Sequence, residues 1–324
     1  MPVDLPEGGK LAFSIIDYPD TASVASVRPI YDLLHQLGIR ASRAVWSFGS
    51  SESGKPDLRG SLEDPEHLDF ALELQSKGHE ICWAGASHGA NRRERIVEGL
   101  DRFAEVFGHS PRVYLNASTN RESLYWGPER IDQPLLRAVS QRAAPTPIGY
   151  YQGHVNGSTF WWGDICKERI DYVLNLTFDE VNVRRVNPGL PYYDPVRPLV
   201  RWWFSAVDVE SGSEFNQLLR PDRLERLVRE NGCCIVSTRL TKGYLRDGQV
   251  ERLTRKRLES VVNAGAWFAT VSSVLDHFRR SGSGGTLPQD EWDTMQRRFT
   301  RDLVRRRSRD DYRGDGTGLT AAAG

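Results

Sequence analysis

No stretch of this chain approaches the roughly 20 consecutive apolar residues that a membrane-crossing helix needs. An excess of charge is missing too: 43 basic and 43 acidic residues cancel to a formal charge of zero. Proteins that track nucleic acid or an anionic bilayer rely on a basic surplus, so the composition predicts neither as a partner. Cysteine is scarce. Cys82, Cys166, Cys233 and Cys234 are the whole complement, and none is spaced as a CxxC pair. Adjacent cysteines rarely bridge each other because the geometry is strained, so four small buried thiols are expected. The first ten residues carry neither a basic n-region nor an apolar h-region, which makes the cytoplasm the expected location. Neither a GxGxxG nor a P-loop pattern is present to support nucleotide binding.

What the chain does have is alternation. Short apolar runs at Leu11 to Ile16, Ala41 to Trp46, His79 to Trp83 and Arg112 to Leu115 read as buried strands. Between them lie helical patterns. Val24 to Gly38 repeats apolar residues at three- and four-residue spacing, with Pro29 marking its true first turn or a kink. Pro65 opens a second helix that runs to Lys77, and Arg92 to Phe107 is a third, closed by Gly108. Asn116 to Phe204 is irregular, aromatic and rich in Pro and Gly, and is expected to cover the mouth of a barrel. Alternation resumes with a helix at Arg223 to Asn231, a strand at Gly232 to Thr238 and a helix at Arg252 to Asn263. A strand at Trp267 to Val271 and a helix at Ser272 to Arg280 complete it. Seven or eight strands point to a barrel rather than to the alternative, an open doubly wound sheet.

Residues 1–280 therefore read as one barrel domain. Residues 281–324 read as a flexible SGSGG linker, a basic amphipathic helix and a disordered tail from Gly314. In that helix Trp292, Met295, Phe299 and Leu303 recur at helical spacing, while Arg297, Arg298, Arg301 and Arg305 to Arg307 crowd the other positions. Such a helix packs back on the barrel, or meets a partner or an anionic surface.

Reactive groups of parallel barrels sit where strands end. Three strand ends carry chemistry: Asp17 to Asp20, Cys82 to Gly89, and Asn116 to Arg121. If the barrel closes, these converge. The segments FSIIDYPD, GHEICWAGASHG and CIVSTRLTKGYL, in that order, resemble motifs of the NodB-like polysaccharide deacetylases. VRPIYDLL, LYWG, WWGDICKERIDYV and Arg246 to Gln249 add likeness to a branch associated with surface-polysaccharide clusters. The resemblance spans roughly Lys10 to Arg280. It implies an α/β fold, a distorted (β/α)7-type barrel of mainly parallel strands, and hydrolysis of an N-acyl or O-acyl group on a sugar.

In that family an Asp and two His hold a divalent metal that acidifies a water, a first Asp acts as base, and a late His protonates the leaving amine. The base maps to Asp17. The metal-binding Asp maps to Tyr18, the first His to Ala84, the second to His88 and the late His to Arg239. A phenol ionises near pH ~10 and is a poor ligand at neutral pH, and a guanidinium cannot act as a general acid. Two routes keep catalysis open. Asp20 could swing in beside His88 as ligands of one divalent metal, zinc or similar, with a third oxygen from Asn116, Asn120 or Asp164. Alternatively Asp17 serves as base with Arg239 or Lys242 stabilising an oxyanion, without a metal. The plainer reading is that Asp17 hydrogen-bonds loop amides and His79 is a core histidine. Trp126, Trp162 and the other aromatics of the middle segment could stack on sugar rings, with Asn116, Asn120, Asp164 and Lys242 reading hydroxyls. A carbohydrate is thus the expected ligand, for a deacetylase-like enzyme or for a non-catalytic barrel that binds a sugar or a partner. A third hypothesis needs only the basic C-terminal helix as an interaction surface.

Overall fold

The structure, a computed structural model, describes residues 3–19, 23–50, 60–147 and 149–313, the last six by backbone alone. Strands β1 (Leu11–Asp17), β2 (Ala41–Trp46), β3 (Glu80–Gly85), β4 (Val113–Leu115), β5 (Tyr172–Phe178), β6 (Trp202–Asp208) and β7 (Cys233–Thr238) are hydrogen-bonded in chain order. β7 pairs back onto β1 from Ala12↔Cys233 to Asp17↔Thr238 and closes the ring. Every pairing around the ring is parallel. Parallel strands covered on both faces read as near-continuous apolar runs, and β1, β2 and β7 are buried at every position. The expected (β/α)7-type barrel is what forms.

Beyond the ring, β8 (Leu245–Arg246) and β9 (Gln249–Val250) make a small antiparallel hairpin. β10 (Ala266–Phe268) pairs with the first half of β1, while β2 pairs with its second half. β10 thus fills the gap where β1 and β2 diverge.

The outer layer contains α1 (Arg28–Gln36), α2 (Pro65–Ser76), α3 (Arg93–Phe107), α4 (Pro134–Ala143) and α5 (Gly163–Arg169), followed by α6 (Gly212–Leu218), α7 (Pro221–Arg229) and α8 (Arg252–Asn263). Asp64 caps α2 by accepting from the Glu66 amide at 3.0 Å, with Pro65 at the first helical position. The helix foreseen from Val24 splits into a 3-10 turn at Val24–Ser26 and α1, since Pro29 belongs in a first helical turn.

Two further helices close the ends. α9 (Val271–Arg280) packs at the amino end of the barrel: Asp276 accepts from Arg112, just before β4, at 2.9 and 3.1 Å and from the Tyr172 hydroxyl of β5 at 2.5 Å. α10 (Gln289–Arg313) packs on α4 and the end of β5, burying Trp292, Met295 and Phe299. The Tyr193 amide donates to the Gly285 carbonyl at 2.8 Å, so the glycine-rich connection is itself attached to the barrel. The tail from Gly314 lies outside the described residues.

The expectation of an irregular span from Asn116 to Phe204 needs correction, because β5 and the start of β6 lie within it. The run Tyr172–Phe178 is mostly apolar and forms one of the seven strands of the barrel. Among the described residues no helix is long and apolar enough to cross a membrane.

Candidate functional site

Side chains alternate along a strand, so the two residues at the end of β1 leave on opposite faces. Asp17 turns into the helix layer. It is fully buried and forms an ion pair with Arg43, its register partner on β2. The Tyr31 hydroxyl of α1 donates to it at 3.1 Å and the Leu240 amide at 2.9 Å. Arg43 in turn lies over the Phe70 ring of α2, 5.4 Å from its centroid. Both carboxylate oxygens are engaged and enclosed. A base must reach substrate or water, and this carboxylate faces the helix layer rather than the mouth.

Tyr18 turns the other way, into the barrel mouth. Its hydroxyl hydrogen-bonds Ser237 at the end of β7, and Arg239 lies over its ring at 5.8 Å. Burial, and then the nearby Asp208 carboxylate, push the phenol well above its usual value, so it stays protonated. Asp208 ends β6 in register with Ser237. Opposite it, Leu174 pairs with Phe204 but Thr177 pairs with Ala206, so β5 carries one extra residue. Such a bulge reverses the alternation and aims Thr177 at Asp208, to which its hydroxyl donates at 3.3 Å.

α10 supplies the last member. Arg306 donates to Asp179 at 3.0 Å, to Thr177 at 3.1 Å, and to Asp208. Nearby, Arg130 is sandwiched between the rings of Trp126 at 4.0 Å and Phe299 at 4.6 Å, and burial pushes its guanidinium down to about 10. The mouth therefore holds a hydroxyl, carboxylate and guanidinium network on the carboxyl ends of β1, β5, β6 and β7. Its groups donate and accept hydrogen bonds in the manner that sugar hydroxyls require.

The other residues singled out in the sequence are placed as follows. Asn116 uses both amide atoms on the Leu124 backbone, at 2.9 and 3.1 Å. Asn120 accepts from the Gly89 amide at 3.1 Å and donates to Ser87 O and Glu122 at 2.9 and 2.7 Å. Both brace the loops after β3 and β4 rather than offer themselves to a ligand. Trp162 is enclosed between Trp83 and Tyr114, its indole N–H bound to Glu122 O at 2.7 Å, so it presents no face to a sugar. Asp164 is held by Arg93 through two contacts of 2.6 and 2.7 Å on the outer surface. Trp126 is half-buried beneath Arg130. Lys242 is exposed on the loop after β7. Trp203 and Tyr192 are core, and Trp202 lies under Arg279 at the far end.

His88 is exposed with its ring edge against Trp46, 6.0 Å between centroids. Trp46 packs over Gly85, where a Cβ would fall 2.9 Å from the indole. The positions that correspond to the deacetylase metal set do not fit a divalent cation. Tyr18 is a protonated phenol, Ala84 has no donor atom, and Arg239 brings positive charge. Among the described residues no three His, Cys, Asp or Glu side chains come together as metal ligands would. Asp20 lies outside the described residues.

Sequence reasoning missed Asp208, Thr177, Ser237, Arg130 and Arg306. Asp179 and Asp208 each follow an apolar run, LNLTF and FSAV, which is the same signal that drew attention to Asp17. Recognising β5 and β6 would have exposed both.

No protein-family model matches the sequence, and no curated protein is similar enough to match. Among solved structures, the chitin deacetylase from the fungal pathogen Colletotrichum lindemuthianum is similar over 84% of this chain and 92% of its own, at 16% identity and a TM-score of 0.40. The peptidoglycan deacetylase PdaC from Bacillus subtilis is similar over 86% and 95%, at 12% and 0.39. A family 4 acetyl xylan esterase from Clostridium thermocellum, in complex with a cobalt ion, is similar over 84% and 91%, at 13% and 0.37. These are distant likenesses.

Proposed function

We propose that this barrel binds a glycan at its carboxyl-end mouth and does so without metal-assisted removal of an acyl group. The motif resemblance supports a carbohydrate ligand. The observation that carries the second half is the direction of Asp17: the residue in the base position is buried in an ion pair with Arg43, and the neighbouring mouth positions hold Tyr18 and Arg239. In place of a water-activating pair, the mouth offers hydroxyls of Tyr18, Ser237 and Thr177 with the Asp208 carboxylate.

The test pairs binding with turnover. N-acetylated oligosaccharides are titrated into the purified protein, and acetate release is followed with added zinc or cobalt and with chelator. Binding without acetate is expected. Tyr18→Phe removes one hydrogen bond and weakens binding about threefold to tenfold, equivalent to roughly 1 kcal/mol. Acetate release that needs the added metal and stops with chelator would overturn the reading, as would failure to bind any sugar.

A further inference from the structure

α10 changes character along its length. From Trp292 to Asp302 it is set into the protein: Trp292, Met295, Gln296, Phe299, Thr300 and Asp302 are all buried. Gln296 accepts from the Asp132 amide at 2.5 Å, and Asp302 accepts from the Asp179 amide at 3.1 Å. From Leu303 to Arg307 no residue is buried. Leu303 still packs against the core; beyond it the stretch is held by polar contacts, of which Arg306 to Thr177, Asp179 and Asp208 reach the mouth itself. Arg307 adds contacts of 2.7 and 2.6 Å to the Arg142 and Ala143 carbonyls.

The two halves differ in what anchors them. Burial of large apolar side chains is insensitive to salt. The Arg306 contacts are partly exposed, with 20% of that side chain, 23% of Asp179 and 34% of Asp208 accessible, and ion pairs that solvent reaches are weakened by salt. Arg306 is also imperfectly satisfied, since its Nη2 is buried without a hydrogen-bond partner. A guanidinium with an unmet donor, on a stretch of helix with no buried residue from Leu303 to Arg307, is a replaceable occupant.

We propose that Arg306 is a tethered latch that fills one cation subsite of the mouth, between Thr177, Asp179 and Asp208, and leaves the rest of the mouth open to uncharged glycan. A glycan bearing an ammonium group opens the latch by taking that place. The ligand class follows from what Arg306 leaves behind. Two carboxylates and a hydroxyl that accept from one cation select another cation, and an amine-bearing sugar supplies one where an N-acetylated sugar cannot. This rests on the glycan-binding reading above and adds the charge of the ligand and its control.

Two measurements on the full-length protein test it. Glucosamine tetramer and N-acetylglucosamine tetramer are titrated into wild type, Arg306→Ala and, as a control on the exposed neighbour, Arg305→Ala. Arg306→Ala is expected to bind the amine tetramer about tenfold more tightly than wild type. The acetylated tetramer changes less than about twofold, and Arg305→Ala behaves as wild type. Hydrogen exchange of wild type is followed at low and high salt. Amides of 303–307 are expected to exchange at least about tenfold faster than those of 292–302, and faster still at high salt.

If 303–307 exchanges in step with 292–302 at both salts, the latch is wrong whatever binds. If exchange behaves as expected, both tetramers bind and Arg306→Ala does not tighten the amine, the cation site is wrong. If neither tetramer binds any form while exchange behaves as expected, the latch opening stands and the glycan reading fails, together with the proposed ligand.

Discussion

Asp17 and Tyr18 are neighbours in the chain and belong to different parts of the molecule. One end of β1 delivers a carboxylate to the helix layer and a phenol to the mouth, so the residue whose type suggested chemistry faces away from the mouth. Its pairing with Arg43 is fully desolvated, and breaking a buried pair leaves a charge without a partner. Arg43→Met or Asp17→Leu alone is expected to cost about 3–5 kcal/mol in urea unfolding, while the double variant recovers most of that loss. Single variants that cost under about 1 kcal/mol would show that the pair does not hold the helix layer to the barrel. His79 behaves as the core histidine that its strand position suggested. It is buried, accepts from the Ala41 amide through Nδ1 at 3.0 Å, and is pushed down to about 4, first by burial and then by the charge of Arg40. In the unfolded chain it titrates near ~6.5, so protonation favours unfolding. The stability it contributes is complete above that value and is lost as pH falls toward about 4. Between pH 7 and pH 5 wild type should lose roughly 2 kcal/mol more than His79→Asn, read from urea midpoints at the two pH values. Parallel pH curves would disprove the assignment.

Among the elements, β5 and α10 depart most from what the letters suggested. β5 was obscured by the Pro, Gly and aromatic residues around it, although its own sequence, YVLNLTF, has the apolar and β-branched content of a barrel strand. The bulge that aims Thr177 has no signature in composition; it exists because β5 must stay in register with β6 on either side of it. α10 was legible as a helix with an apolar stripe, and packing against the barrel was one of its expected fates. Its seat could not be read, since the groove that accepts Trp292 and Phe299 is built by α4, Arg130 and Tyr192, which are distant in sequence. Removing residues 289–324 uncovers that groove. The loss of three large buried side chains should lower stability on the order of 5 kcal/mol while leaving one cooperative transition in denaturant. An unchanged midpoint would make α10 an appendage rather than part of the barrel.

On the scale of the whole molecule, the barrel has two unlike ends. The amino end is closed by α9, with Arg112, Asp276 and Tyr172 in mutual contact. The carboxyl end gathers the polar ends of β1, β5, β6 and β7 and receives Arg306 from α10. That polarity is general for parallel barrels, whose loops after the strands carry the chemistry. It was visible from the sequence once alternating strands and helices were recognised. Strand and helix periods, stop signals at Gly38, Gly78 and Gly108, and the balance of charge were all local properties, and they were sufficient to determine a closed parallel α/β barrel. Only the tertiary structure decided which residues meet at its mouth. A side chain's direction depends on the parity of its strand and on bulges, so a shift of one residue moves it from the axis to the helix layer. For that reason Asp17 is held in the wall, and Asp208 and Arg306, far apart along the chain, share the mouth.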